Sequence, residues 1–253
     1  MLPAHFIPEG RPLIWAHRGA SAEAPENTLA AFSLALSQGA DGIELDAQRC
    51  SSGEVVVVHD DSLARTTGLE ALVTQTLWPV LRTLDAGAWK GDRFRGERVP
   101  LLAEVLEAFP RLVNVELKCE GADDRGLTAE VIGVVRAAGA TDRVLLSSFN
   151  PLCLLRAARI APGIPRALLL EREQRWALRS ALAAPLVGAR ALHPEDVLAT
   201  PKRVARWIAR GYSVACWTVD DAAAAARLYA GGVSGIFTNR PAEMRKRWPA
   251  DGR

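Results

Sequence analysis

Along the chain, short apolar runs alternate with stretches whose apolar residues recur every three or four positions. The first pattern predicts strands over 12–17, 42–49, 54–59, 112–118, 143–149, 165–171, 189–193, 213–219 and 235–239. Helical patterns fill most of the gaps: TLAAFSLALSQG, LLAEVLEAF, LTAEVIGVVRAAG, PLCLLRAARIA, RWALRSALAAPLVG, PKRVARWIARG and DAAAAARLYAGG. Strand–helix alternation implies βα units and a parallel sheet. Gly39, Gly139, Gly211 and Gly231 stand where such helices would end in a left-handed cap.

One connection breaks the alternation. Only CSSG joins 42–49 to 54–59, too short for a parallel crossover, which needs about a dozen residues. EVVVVHD must therefore run back antiparallel as a hairpin arm. Setting it aside leaves eight strands, the last followed by the helical PAEMRKRW, and predicts a (β/α)8 TIM barrel in a single domain over 1–253. A turn about Ser51 and Ser52 brings His59 back close to Glu44, at the rim where the second barrel strand ends. The long connection that follows, about 60–100, is predicted to form a small insertion or lid over the barrel mouth.

Composition narrows the class. The 253 residues are 49% hydrophobic and 24% charged, as expected of a globular protein with a large core. A net charge of +2 is too balanced to imply nucleic acid or a membrane surface, and MRKRW reads as a solvated helix face. Cys50, Cys119, Cys153 and Cys216 are scattered without a CxxC pair, which predicts reduced, buried thiols and a cytoplasmic setting. MLPAHFIPEGRP has neither the basic start nor the apolar run of a signal peptide.

The chemistry gathers at strand ends. In GIELDAQ, Glu44 and Asp46 are two apart and share a strand face, as do Glu116 and Lys118 in VNVELK. Buried carboxylates need cations, and three oxygen ligands without cysteine suit one hard divalent ion, Mg²⁺ or Ca²⁺. An ion network pairing Glu116 with Lys118 or Arg18 is the plainer alternative. His17 and Arg18 close the first strand at the same rim, and His59 returns to it. Two imidazoles titrating near neutrality suit proton transfer, while Arg18 and Lys118 suit phosphate oxygens. Phe149 and Trp217, at the ends of the fourth and seventh barrel strands, would form an apolar wall for a small alcohol or glycerol moiety. In PENT, Asn27 or Thr28 can cap the following helix, with Glu26 holding the loop. His193 shares the rim without an evident partner.

HRGASAEAPENT, GIELDAQ, VVVHDDSLARTTG, VPLLAEVL, VNVELK, SSFNP, CWTVD and GIFTNRP occur in this order. Together they resemble the glycerophosphodiester phosphodiesterases of the short bacterial, cytoplasmic type, over nearly the whole chain. The resemblance implies a barrel related to the phosphatidylinositol-specific phospholipases C, with an insertion after the second strand. It implies metal ligands at Glu44, Asp46 and Glu116, acid–base histidines at His17 and His59, phosphate-side Arg18 and Lys118, and a substrate-side Trp217. Asn239 stands where that family often has Asp in TDRP.

The expected activity is metal-dependent hydrolysis of glycerophosphodiesters, such as glycerophosphocholine or glycerophosphoethanolamine, to sn-glycerol 3-phosphate and an alcohol. The route runs through a cyclic phosphate, and either histidine could be the first base. Two other readings share these residues: a phospholipase-like enzyme acting on intact lipids, and a barrel that binds glycerophosphodiesters without cleaving them. The expected partner is the small-molecule substrate alone, without nucleic acid or stable membrane association, in a monomer or homodimer.

Overall fold

A computed structural model describes residues 2–7, 9–119, 121–174, 176 and 180–249. Its strands are β1 (Leu13–His17), β2 (Gly42–Arg49), β3 (Val55–Val57), β4 (Leu112–Leu117), β5 (Val144–Ser148), β6 (Arg166–Leu170), β7 (Ala191–Pro194), β8 (Ser213–Cys216) and β9 (Gly235–Thr238). Each falls within a predicted run or within one residue of it. The parallel order β1-β9-β8-β7-β6-β5-β4-β2 closes through a β1–β2 pairing, and β3 lies antiparallel on β2. This is the eight-stranded barrel with the predicted hairpin. No described helix is long and apolar enough to cross a membrane. The helix predicted over RWALRSALAAPLVG lies partly outside the described residues.

Alternation along the strands divides the core in two. Ile43, Leu45, Ala47, Val113 and Val115 pack outward with Phe32, Leu106 and Val131 of the surrounding helices. Leu13, Trp15, Leu145, Ala167, Ala191, Ala215 and Phe237 fill the barrel, with Phe6 of the N-terminal segment in the same cluster. Trp15 stacks on Phe237 with ring centroids 5.8 Å apart. Further along these inward rows stand His17, Ser147, His193 and Asn239, so those strands pass from packing to polar groups near the C-terminal mouth, while β6 continues with Leu169 and the chain after β8 with Trp217.

Three local expectations are corrected. Arg245, within MRKRW, is not a solvated charge: it donates to Asp41 at 2.8 Å and to the carbonyl of Gly39. Asp41 also receives Arg11 through two bonds and the backbone of Ile14, so one carboxylate ties the last helix to the β1–β2 seam. Gly39, Gly139 and Gly211 are left-handed as predicted, but at the last position it is Gly232 rather than Gly231. Cys119 and Cys153 are joined as a disulfide between the loop after β4 and the helix Pro151–Ile160, while Cys50 and Cys216 are free and buried. The 34-residue separation of Cys119 and Cys153 hides that they belong to neighbouring βα units.

The segment after β3 carries two short helices, Ala64–Thr67 and Trp78–Leu81, over an apolar cluster of its own. Val56, Val58, Leu63, Val73, Leu81 and Val99 pack there, on the hairpin face opposite that of Val55 and Val57.

Gly42 sets how closely β1 and β2 approach. A Cβ at that position would lie 2.4 Å from the Trp15 ring and 2.7 Å from the carbonyl oxygen of Leu112. Gly42→Ala is expected to destabilise the protein by about 1–3 kcal/mol, the usual cost of overfilling a packed core. Urea unfolding checks this, and an unchanged midpoint would mean that Trp15 has room to swing aside.

Candidate active site

Strand register assembles the acidic cluster. His17 is paired with Glu44 across β1–β2, and Asp46 with Glu116 across β2–β4. Glu44, Asp46 and Glu116 each bring one carboxylate oxygen within 4.8 Å of the others. The hairpin pairs Ala47 with Val57, and the backbone N–H of Val58 reaches the carbonyl of Asp46. The same register carried forward sets His59 opposite Leu45, between the positions of Glu44 and Asp46. The Gln48 side-chain amide faces the carbonyls of Val58, His59 and Asp60 at 3.1, 3.1 and 2.9 Å, which fixes the backbone that carries His59.

At the end of β1 the chain turns sharply. Arg18 has φ 57°, in the left-handed region that a non-glycine residue seldom occupies. Its backbone N–H faces both the carbonyl oxygen and Oε2 of Glu44, each 3.0 Å away. Its guanidinium lies 3.0 Å from Glu26 and 3.4 Å from Asp46. Lys118 Nζ stands 3.4 Å from Glu116 and 3.9 Å from Asp46. Thr28 caps the helix Leu29–Ser37, whereas Asn27 donates to Asp46 Oδ2 at 2.8 Å.

Burial, together with the charges of Asp46 and Glu116, holds the Glu44 carboxyl well above the ordinary range. Burial and Asp46 push Glu116 up to about 7. Burial acts the same way on Asp46, yet Arg18, His59, Lys118 and the Asn27 bond together hold it low. Like charges crowded in a dry site need a countercharge, and the donors here are all hard oxygens. The cluster therefore fits one divalent cation.

The two imidazoles have different partners. His17 Nδ1 lies 2.8 Å from Asn239 Oδ1, and burial beside Arg18 lowers its pKa to about 4. His59 Nδ1 lies 2.7 Å from the Asp60 carboxylate. Arg65, on the helix Ala64–Thr67, donates to Asp60 at 2.5 Å and through two nitrogens to Glu26 at 2.9 and 2.8 Å. Glu26 in turn binds Arg18, so one ionic chain runs from beside His59 to Arg18.

His17, Arg18, Glu44, His59, Glu116, Lys118, Phe149 and Trp217 all line one cavity of about 810 Å³, and Asp46 lies buried beside them. All nine residues singled out from the sequence thus meet at the C-terminal mouth. Asp60, Asp61, Leu72 and Thr74 of the insertion form part of its wall. Phe149 meets Trp217 edge to face at 5.6 Å, and the Trp217 indole N–H donates to the carbonyl of His193. His193 is buried against Phe237 at 4.8 Å and its pKa falls to about 3 through that burial. Gln48, Asp60 and Arg65 were not singled out from the sequence. HDD beside His59 was the available signal for Asp60, whereas nothing local marks Arg65.

The raised Glu116 carboxyl carries a sign that can be tested. Without metal, the folded protein holds a proton on Glu116 up to about pH 7, while the unfolded chain releases it near 4.5. Across that window the folded state binds more protons, so this group's contribution to stability falls as pH rises. Glu116→Gln removes that slope. In chelator, the urea midpoint of the variant should therefore gain on that of the parent as pH rises through the window. A difference independent of pH would contradict it.

Comparison with known proteins places this geometry. Residues 17–243 match the family model for the glycerophosphoryl diester phosphodiesterase family. A glycerophosphodiester phosphodiesterase of Caldanaerobacter subterraneus subsp. tengcongensis is 37% identical over 236 residues, covering 90% of this chain and 94% of that protein. The structure of an Oleispira antarctica phosphodiesterase in complex with the product sn-glycerol-3-phosphate superposes with a TM-score of 0.87 at 32% identity, covering 96% of this chain and 97% of the other. A glycerophosphodiester phosphodiesterase from Agrobacterium tumefaciens gives a TM-score of 0.77 at 29% identity, over 93% and 99% of the two chains. With the match running from the first site histidine to the last helix, this chain belongs to the glycerophosphoryl diester phosphodiesterase family.

Proposed function

We propose that this chain hydrolyses small glycerophosphodiesters, such as glycerophosphocholine or glycerophosphoethanolamine, to sn-glycerol 3-phosphate and the free alcohol. The observation that carries the reading is the meeting of three buried carboxylates, two imidazoles, Arg18 and Lys118 at one cavity. Glycerophosphodiester hydrolysis is the chemistry of the family, and it needs these groups together.

Glu44, Asp46 and Glu116 would hold one Mg²⁺ or Ca²⁺. Such an ion supplies Lewis acidity toward the phosphate and the adjacent glycerol hydroxyl. The chain's own residues do the rest. One histidine takes the proton from the glycerol hydroxyl beside the phosphate as that oxygen attacks phosphorus. The bond from phosphorus to the leaving alcohol breaks, and the other histidine protonates the alcohol oxygen. Water then opens the cyclic glycerophosphate, with the two histidines exchanging roles. Arg18 and Lys118 face the phosphoryl oxygens, where charge accumulates. Phe149 and Trp217 bound the apolar side of the cavity, where the carbon skeleton of the glycerol packs.

His17→Ala and His59→Ala should each lower kcat by about 10²–10⁴ while leaving the circular dichroism spectrum unchanged. Chelator should abolish release of glycerol 3-phosphate from glycerophosphocholine, and Mg²⁺ or Ca²⁺ should restore it. Substantial turnover by either variant would remove the paired-histidine assignment, and activity indifferent to chelator would remove the metal.

A further inference from the structure

Neither Asp220 nor Asn239 lines the cavity. Both nevertheless act on His17, and the donor–acceptor arithmetic leaves a single solution. Asp220 Oδ1 accepts from the Thr238 hydroxyl at 2.9 Å and from the backbone N–H of Asn239 at 2.7 Å. Its Oδ2 lies 2.8 Å from Asn239 Nδ2. A carboxylate only accepts, so the NH₂ end of the Asn239 amide must face Asp220. Turning the amide over would set oxygen against oxygen.

The opposite end of that amide is thereby fixed as well. Asn239 Oδ1 faces His17 Nδ1 at 2.8 Å and the Ser21 hydroxyl at 2.8 Å. An amide oxygen is also only an acceptor, so Nδ1 must carry the ring proton. In a neutral imidazole Nε2 is then bare, because the hydrogen bond at one ring nitrogen decides the state of the other. The Asp220 backbone cannot readily drift, since the N–H of Val219 is bonded to the carbonyl of Phe237 on β9.

We propose that Asp220 is a positioning residue for His17, orienting the Asn239 amide so that the ring is held as its Nδ1–H tautomer with Nε2 free to accept a proton. The inference rests on the reading of His17 as one of the acid–base pair. In the half-reaction where His17 acts as base, Nε2 takes the proton of the glycerol hydroxyl as its oxygen bonds phosphorus, the phosphorus–oxygen bond to the leaving alcohol breaks, and that oxygen takes a proton from His59.

The test reads the tautomer directly. The ¹⁵N-labelled 253-residue chain contains four histidines, and His17 can be assigned from the resonances lost in His17→Gln. Under slightly alkaline conditions, two-bond ¹H–¹⁵N correlation should show His17 protonated at Nδ1 and bare at Nε2. In Asp220→Ala and in Asn239→Leu the two nitrogens should move toward averaged values. In both variants kcat should fall about 10–100-fold, as for lost orienting partners elsewhere, with KM little changed. The double variant should lose no more than the worse single one, because both act through one link. A proton on Nε2 in the parent protein, or a parent-like His17 spectrum in the variants, would overturn the proposal. Should Asp220→Ala fail to fold, the parent and Asn239→Leu spectra decide alone. These spectra need no substrate, so an Nδ1–H ring in a protein whose His17→Ala variant still turns over would remove the catalytic reading and keep the positioning one.

Discussion

Three carboxylates brought within reach of each other in a buried barrel mouth set the terms for everything around them. Uncompensated, each would cost several kcal/mol, on the order of the net stability of a whole domain. The structure answers with cations placed asymmetrically. Arg18 and Lys118 both approach Asp46, and Asn27 adds a bond to it, so Asp46 stays ionised while Glu44 and Glu116 are pushed toward the neutral form. The protein side chains thus compensate part of the charge and leave the rest. What remains is an oxygen cluster suited to one more cation, with Arg18 and Lys118 lining the same cavity.

The same economy governs the histidines. A ring beside a carboxylate and a ring beside an amide have chemically different partners: His59 Nδ1 faces the Asp60 carboxylate, and His17 Nδ1 the Asn239 amide oxygen. Burial beside Arg18 disfavours protonation of His17. The two rings at the mouth are therefore held in different surroundings.

Much of this was legible from residues alone, and the reason is period two. GIELDAQ and VNVELK display their carboxylates on alternating positions, so a shared face follows from strand geometry without any tertiary knowledge. The four-residue CSSG link forced a hairpin, and the hairpin returned His59 to the rim. What strand patterns do not contain is register between distant segments. Nothing in the sequence sets Asp46 beside Glu116, Cys119 beside Cys153, or Asp220 beside Asn239. Arg65 and Arg245 were illegible for a related reason. A charged side chain in an irregular or basic stretch reads as solvated until its partner, Glu26 or Asp41, is seen across the fold.

The position of Arg65 also bears on why the barrel carries its insertion. The segment packs its own apolar cluster against the hairpin, and Leu63 and Leu69 on either side of its short helix Ala64–Thr67 belong to that cluster. From there Arg65 reaches Asp60, on the loop carrying His59, and Glu26, on the loop beside Arg18. Those two loops follow β1 and β3, which both pair with β2 but not with each other. A guanidinium with five donors in a fixed plane can set their spacing, since a bidentate grip on one carboxylate still leaves a donor for the other. A Lys at this position would supply the charge without the plane, and the distance between the two loops would no longer be prescribed. The insertion accordingly does for the loops what the sheet register does for Glu44, Asp46 and Glu116: it turns separate side chains into one geometry.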